Sequence, residues 1–582
     1  MTKSANNKVW QQAEVNETLV MELLQKLKIS DLLARILSIR IENIEQAEDF
    51  LLPKIRNLLP DPFHLLDMDK AVSRAILAIE GKQKICIFAD YDVDGATSSA
   101  LLKNVFRDLG VIVDIYVPDR IAEGYGPSAY AMQKIRQNGT QLLITVDCGA
   151  MAHDALKYAS EVGLEVIVID HHMSLDSLPE AVAIINPNRL DEQSEYKYLA
   201  AVGVSFLFAV ALISELKKIN YFDKLVLPDL IKYLDLVALG TVCDIMSITK
   251  LNRAFVTQGL KIMAQRQNIG IKTLCDSALL EEGLNCYHLG FVLGPRINAG
   301  GRVGKSSLGA HLLSSISEEE AVNLANELEK HNNERKIVEA LILEEAVSLA
   351  QSQQDDHFLF IACEGWHPGV IGIVASKLKE QFNKPVAVIA LNNGVGKASC
   401  RSVRGIDFGS KIIEAKNQQL IVSGGGHAMA AGFTVEKDKL LQLHQFLSDM
   451  FKQDMARSNI HLHEYYNAEL TTNAVNLELM EELTKLEPYG AGNNEPIFKF
   501  SNLFVLKADI VGGKHARLLL VPSKESYGSK PLSAIAFNVV HSSMQDIFFN
   551  KKPLDISVIG SLKLNQWQGK QRIQLQVRDV IL

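Results

Sequence analysis

The chain has 582 residues, 47% hydrophobic and 22% charged, with a formal net charge of −8, which excludes a single core and predicts three or four globular domains. No stretch reaches the ~18 consecutive apolar residues of a membrane helix, and the start MTKSANNKVWQQ lacks an apolar signal core. Seven scattered cysteines without a CxxC pair exclude a zinc knuckle or disulfide frame, so reduced thiols and a cytoplasmic location are expected.

Residues 1–65 mix polar and apolar positions at helical spacing (VMELLQKLKISDLLARILSIR) and read as an accessory N-terminal segment. From 66 to 260 strands and helices alternate. Strand runs fall at 85–90, 112–117, 142–147, 165–170 and 182–186, with helices such as 127–137 and 151–162 between them. That alternation predicts a doubly wound parallel sheet with its chemistry at the carboxyl ends of the strands.

The segment KICIFADYDVDGATSSA is the most telling. Ile85 to Phe88 form a buried strand, and Asp90, Asp92 and Asp94 follow within five residues. Gly95 is then expected to allow a tight turn before a helix over Ala96 to Arg107. QLLITVDCG delivers Asp147 at the end of a second run, and LEVIVIDHH delivers Asp170, His171 and His172 at the end of a third. One strand ending in Asp is commonplace. Three such ends repel one another and call for a counter-charge, most simply a divalent metal. Cys148 and Cys243, beside candidate ligands, read as small packing residues.

Residues 261–353 form a linker and connector. Within it 317–353 has no Gly or Pro and repeats apolar residues at three- and four-residue steps. This reads as one long helix, or two in tandem, joining two domains; a local helical hairpin is the alternative. Residues 354–455 form a second α/β unit, with dense glycine clusters in SGGGHAMAAGF and HPGVIGIVA. Residues 456–582 end in about five short strands, which suggests a small barrel of the OB type. Residues 501–582 hold eleven Lys/Arg against five Asp/Glu. A basic module on an acidic body fits a polyanion-binding arm, with an ordinary solubilising surface as the alternative.

Asp90, Asp92, Asp147 and His171 offer the oxygen and imidazole donors that Mg²⁺ and Mn²⁺ accept. LDLVALGTVCDIM adds a further carboxylate, Asp244 or Asp235. A carboxylate shared by two ions would hold them about 3.5–4 Å apart, the spacing that serves phosphoryl transfer. Arginines lie in glycine-rich segments: Arg120 in VPDRIAEGYGPS, Arg296 and Arg302 in GPRINAGGR, Arg401 and Arg404 in ASCRSVRG. Glycine lets backbone N–H groups approach an anion, and guanidinium grips phosphate bidentately. A structural ion pair is the alternative for each.

ADYDVDG, VDCG, DHH and ALGTVCD resemble the four motifs of the DHH phosphoesterase superfamily, and SGGGHAMAAGF resembles its DHHA1 domain. FVLGPRINAGGR, EGWHPGVIGIVASKL, CRSVRG and LEPYGAGNNEP narrow the likeness to the RecJ family of bacterial single-strand-specific DNA exonucleases, over roughly residues 65–582. The resemblance implies two ions, Mn²⁺ or Mg²⁺, on Asp90, Asp92, Asp147, His171 and Asp244, the last preferred over Asp235 on this ground. It implies that His172 faces the scissile phosphate and that Asp170 orients the imidazoles, although Asp170 also fits a strand-end cap. It further puts Arg120, Arg296, Ser399 and Arg401 near substrate phosphates, some at the 5′ end. His427 could contact substrate or cap the following helix.

Several small-substrate members of the superfamily carry a His four residues before the first acid, where this chain has Cys86. In the barrel, Lys514, His515, Arg517, Lys563, Trp567, Lys570 and Arg572 would track the strand by charge and stacking, with Trp567 alternatively in the core. The implied activity is a two-metal-ion exonuclease, degrading single-stranded DNA 5′ to 3′ to mononucleotides in recombination and repair. Single-stranded DNA is the expected partner, with a helicase and a single-strand-binding protein as candidate protein partners, and the chain is expected to be a monomer. A narrow cleft between the two α/β domains would exclude duplex. Three other readings compete: a DHH enzyme acting on dinucleotides or pyrophosphate; a non-catalytic DNA-binding scaffold, which should have lost metal acids; and a Rossmann nucleotide binder, which should show GxGxxG after the first strand.

Overall fold

The computed structural model describes residues 3–119, 123–124, 126–223, 225–280, 283–457, 463–522, 530–540, 542–550, 555–567 and 570–582. The chain divides into two compact units, one of residues 62–244 and 261–460, the other of 1–61, 245–260 and 461–582.

The first unit opens with a five-stranded, all-parallel sheet. Its order is Val113–Tyr116, Ile85–Ala89, Leu142–Val146, Glu165–Ile169, Ala183–Ile185. The two central runs, ICIFA and LLITV, are buried at every position, as strands covered by helices on both faces must be. Because the first strand in sequence lies inside the sheet and the second at its edge, the order reverses between Ile85–Ala89 and Leu142–Val146. Ligands of such sheets bind in the crevice at that reversal.

The helix after the first strand spans Val93–Asp108, three residues earlier than its sequence suggests. Asp92 caps it, accepting a hydrogen bond from the Gly95 amide at 3.0 Å. Gly95 is therefore inside the first turn, and its role is close approach: a Cβ there would sit 2.3 Å from the Asp90 carbonyl oxygen.

A single 34-residue helix, Glu318–Gln351, follows. Ser317 caps it, and Glu318, Glu319 and Glu320 complement its N-terminal dipole. It packs first on the helices Ile269–Ser277, Gly294–Val303 and Leu308–Ser314, then on the strand Leu359–Glu364 and the helix Ile371–Phe382. That strand is the edge of a mixed sheet ordered Ser423–His427, Ala430–Glu436, Val395–Arg401, Val386–Asn392, Leu359–Glu364, with only the final pair parallel, and the helix Ile371–Phe382 packs on it. The glycine cluster SGGGHAMAAGF is its edge hairpin.

In the second unit five strands pair in a ring: Phe498–Val511, His515–Pro522, Leu532–Ala536, Lys570–Ile581, Ile556–Trp567 and back to Phe498–Val511. Only the Leu532–Ala536 and Lys570–Ile581 pairing is parallel. The N-terminal segment shares this unit's core: Leu19, Leu23, Leu33 and Leu37 are buried in one cluster with Leu479, Phe498 and Phe500. Fully buried Arg253 ties the three pieces together, donating to the carbonyls of Phe50 (2.7 Å) and Glu487 (2.6 Å).

Candidate active site

Strand ends at the sheet reversal bring the acids together. Ligand oxygens of Asp90, Asp92 and Asp147 lie within 4.8 Å of one another, and so do ligand atoms of Asp147, His171 and His172, and of Asp94, His171 and Asp244. Asp147 sits at φ +59°, a left-handed conformation that Asp tolerates better than most residues and that recurs at functional sites. Asp244 caps the helix Leu234–Cys243 at its C-terminal end and turns its carboxylate to within 3.6 Å of His171 Nε2. Asp235, in the first turn of that helix, is buried outside the cluster, with its carboxylate bonded to the Leu236 amide.

The two imidazoles are held differently. His172 donates Nδ1–H to Asp170 Oδ1 at 2.8 Å and is partly exposed. Asp170 also accepts from the amides of Ala150, His171 and His172, so it both orients His172 and ties off the strand end. Burial would raise the Asp170 carboxyl, but the His172 hydrogen bond and charge hold it down to about 2. Burial would equally depress His172, but Asp170 lifts it to about 9. The two form an ion pair. His171 is neutral: burial and then the neighbouring His172 lower it to about 4. The loop is anchored from below by Asn186 and Asn188, whose side-chain amides donate to the carbonyls of His172 and His171 (2.8 and 2.5 Å).

Burial, and after it the mutual repulsion of the acids, raises Asp94 and Asp147 well above the carboxylate range and Asp244 to about 7. The test of fit to a metal lies at His171 Nε2. It is buried with no hydrogen-bond partner among the described residues, and carboxylate oxygens of Asp147, Asp244 and Asp94 stand 3.3, 3.6 and 3.8 Å away. Lone pairs converge there, and a hard divalent cation satisfies them together. Asp90, Asp92, Asp147, His171 and Asp244 fit such ions.

Asp94 was not among the candidate ligands. Both its oxygens accept backbone amides of Ala201 and Val202 (2.6 and 2.9 Å), so it fastens the helix Ala201–Lys218 to the cluster. Its place as the third acid of DYDVDG was the only sequence signal. The Asn186 and Asn188 anchors gave none. Cys86 faces an apolar cluster under the sheet, and burial pushes its thiol up to about 12; it does not replace a ligand.

Arg302, Ser399 and Arg401 come together in a cavity of about 730 Å³ that Gly372, Ser376 and Lys397 also line. Arg401 donates to the hydroxyls of Ser376 and Ser399 (3.1 and 3.3 Å) and has no carboxylate partner among the described residues. Burial lowers its pKa. Arg302 reaches the Gly369 carbonyl at 2.9 Å. Arg296 pairs with Glu329 on the long helix at 2.6 Å, in line with the structural alternative. His427 is exposed at the end of the glycine hairpin, outside that cavity's lining. Arg120 lies outside the described residues.

In the barrel, Lys514 occupies the turn before His515–Pro522, Arg517 is exposed 3.6 Å from Asp509, and Arg572 is exposed on Lys570–Ile581. Lys563 is tied to Glu495 at 2.6 Å. Trp567 and Lys570 close a hairpin through their backbones, and their side chains lie outside the described residues.

Comparison with known proteins agrees with this anatomy. The DHH family, N-terminal domain, matches residues 84–241 and the DHHA1 domain matches 355–453, which makes the chain a DHH-type protein. The RecJ OB domain matches 466–579. The single-stranded-DNA-specific exonuclease RecJ of Escherichia coli is 33% identical over 539 residues, covering 90% of this chain and 92% of that protein. The Bacillus subtilis protein of the same name is 31% identical over 98% of this chain and 70% of its own length. The crystal structure of RecJ in complex with Mn²⁺ from Thermus thermophilus superposes with a TM-score of 0.82 at 25% identity, over 99% of this chain and 80% of that one. The chain belongs to the RecJ family.

Proposed function

We propose that this chain is a two-metal-ion exonuclease that degrades single-stranded DNA 5′ to 3′ to mononucleotides in recombination and repair. The observation that carries the reading is the acceptor-only cluster around His171 Nε2 at the sheet reversal. Asp90, Asp92, Asp147, His171 and Asp244 would hold Mn²⁺ or Mg²⁺, and Asp147, which stands in two of the donor groups, is the carboxylate the ions would share. Bound there, the ions supply an acidified water and neutralise charge on the phosphoryl group. Asp94 keeps the cluster rigid from the helix side. His172, kept protonated by Asp170, presents its outer edge to a non-bridging phosphate oxygen.

Arg401, Ser399 and Arg302 bind the substrate's phosphates, including a 5′ phosphate, and Arg120 is a further phosphate ligand, while Arg296, paired with Glu329, lines the neighbouring cavity with Arg302. His427 contacts the strand from the hairpin. Lys514, Arg517, Trp567, Lys570 and Arg572 hold the strand at the barrel. The reading extends to a cytoplasmic monomer working beside a helicase and a single-strand-binding protein. All seven cysteines are unpaired, as a reducing compartment requires.

The test is digestion of end-labelled single strands, with and without a 5′ phosphate, in Mn²⁺ or Mg²⁺. The expected result is mononucleotides released from the 5′ end and none from duplex. Turnover confined to dinucleotides would instead make the chain a small-substrate phosphodiesterase.

A further inference from the structure

A second surface, on the rim of the acidic cluster, is built for a different part of the substrate. A π-helical turn, His288–Leu293, runs into the helix Gly294–Val303. Such turns are rare and gather at functional sites. Leu289 and Leu293 point into the core, while Tyr287 and Phe291 point out, 63% and 72% exposed. Their rings stack on each other at 5.2 Å and 24°. One exposed aromatic residue is ordinary. Two that stack on each other in water leave an outer ring face open, on which a further flat ring can continue the stack.

The turn is fixed to the metal rim. Cys243, which precedes Asp244, donates its thiol to the Leu289 carbonyl at 3.3 Å. A Cβ on Gly294 would come 2.7 Å from Cys243 Sγ, so the two elements meet without a gap.

Phe291 also lines a cavity of about 330 Å³, with Cys243, Arg296, Arg302, Asn332 and Lys336 on its walls. The cavity shares Arg302 and Ile373 with the larger one around Arg401. Asn332 is 1% exposed. Its Oδ1 accepts from Arg335 (3.0 Å), but its Nδ2 donor, buried against this cavity, has no partner among the described residues. An unmet buried donor is costly unless a ligand supplies the acceptor. Lys336 has no acidic partner among the described residues. Cations, an unmet amide donor and a flat aromatic face side by side match a nucleotide: acceptor oxygens on its phosphate, a π-face on its base.

We propose that Tyr287 and Phe291 form a base-stacking station for single-stranded DNA beside the metal site, with Asn332 and Lys336 receiving the phosphate of the stacked nucleotide. The station rests on the exonuclease reading above and adds to it a contact that tolerates any base. Its two rings hold the strand by a π-face instead of by charge, so their contribution is insensitive to salt, unlike that of Lys336 and the arginines.

The test uses full-length protein in Ca²⁺, which supports binding without requiring turnover, and strands carrying 2-aminopurine at successive positions. Wild type should change the 2-aminopurine signal sharply at one position. Phe291→Ala and Tyr287→Ala should abolish that signal and weaken binding about tenfold with an unaltered salt slope, the size expected for one lost stacking contact. Phe291→Trp should keep the affinity, and its own fluorescence should respond to single strands. Both residues are at the surface, so these variants fold. A wild-type enzyme that digests single strands while Phe291→Ala binds and signals as wild type does would overturn the station alone and leave the pair to a protein partner. A wild type that neither binds nor cuts single strands would remove the exonuclease reading and the station with it.

Discussion

Two regions of the same unit carry buried charge of opposite sign, and each lacks what the other would bring to a phosphodiester. At the sheet end Asp94, Asp147 and Asp244 crowd an imidazole, and burial with mutual repulsion drives their pKa values up. In the glycine-rich cavity Arg401 rests on hydroxyls and a carbonyl, and burial drives its pKa down. Neither is a stable arrangement by itself. Acids this close call for cations, and a half-buried guanidinium without a carboxylate calls for an anion. A metal-bound polyanion answers both. Electrostatic strain of both signs in one unit is thus a better guide to function than either pocket alone.

The hardest break is Asp147→Ala. Removing the proposed shared ligand should lower metal-dependent exonuclease activity at least about a thousandfold while single-strand binding persists. Asp147→Asn should also raise the melting temperature of the metal-free protein by relieving repulsion, and should abolish the stabilisation that Mn²⁺ gives wild type. Full activity in either variant would refute the assignment.

Asp235 separates repulsion from simple burial. Burial alone lifts its carboxyl to about 7, against about 4 in an unfolded chain. Between those pH values the unfolded chain has released a proton that the folded chain still holds. Stability therefore falls as pH rises through this window and levels off above it. Asp235→Asn should remove that fall, which is worth up to about 4 kcal/mol at ~1.4 kcal/mol per pH unit. Saturating Mn²⁺ should cancel the part of the slope owed to the cluster and leave the Asp235 part, as melting curves between pH 4 and 8 would record.

On the opposite side, Arg401→Ala should weaken binding of 5′-phosphorylated strands about tenfold, with Arg401→Lys restoring only part, since a point charge cannot replace a planar fork. Equal affinity for phosphorylated and unphosphorylated ends in wild type would remove the 5′-end role.

Much of this was legible in the chain. Runs such as ICIFA and LLITV are apolar throughout because both faces are covered, so strand positions came out within a residue or so. The acids were legible because they end those strands. Asp94 was obscured because DVDG reads as a turn, whereas Asp92 caps a helix that already contains it. Asn186 and Asn188 act through backbone carbonyls of a distant loop, a relation with no sequence signature. Arg296 looked like its glycine-flanked neighbours, but its partner Glu329 lies on another helix. The N-terminal segment gave no hint that its leucines pack with Phe498 and Phe500, since such a long-range core is written in no local pattern.

That shared core decides how the barrel can be tested. Deleting residues 501–582 would strip the cover from Leu19, Leu23 and Leu33, so lost DNA binding would report unfolding. Point changes avoid this and have the smallest expected effects. Arg517 is free to leave Asp509 for a phosphate, because Lys507 stays 3.1 Å from that carboxylate. Lys563 is engaged by Glu495. Arg517→Ala and Arg572→Ala should each weaken binding of long strands about two- to fivefold and lower the log–log salt slope by about one. Lys563→Ala should change it less. If all three leave the slope untouched, the barrel's basic surface serves solubility, and the strand is held in the first unit alone.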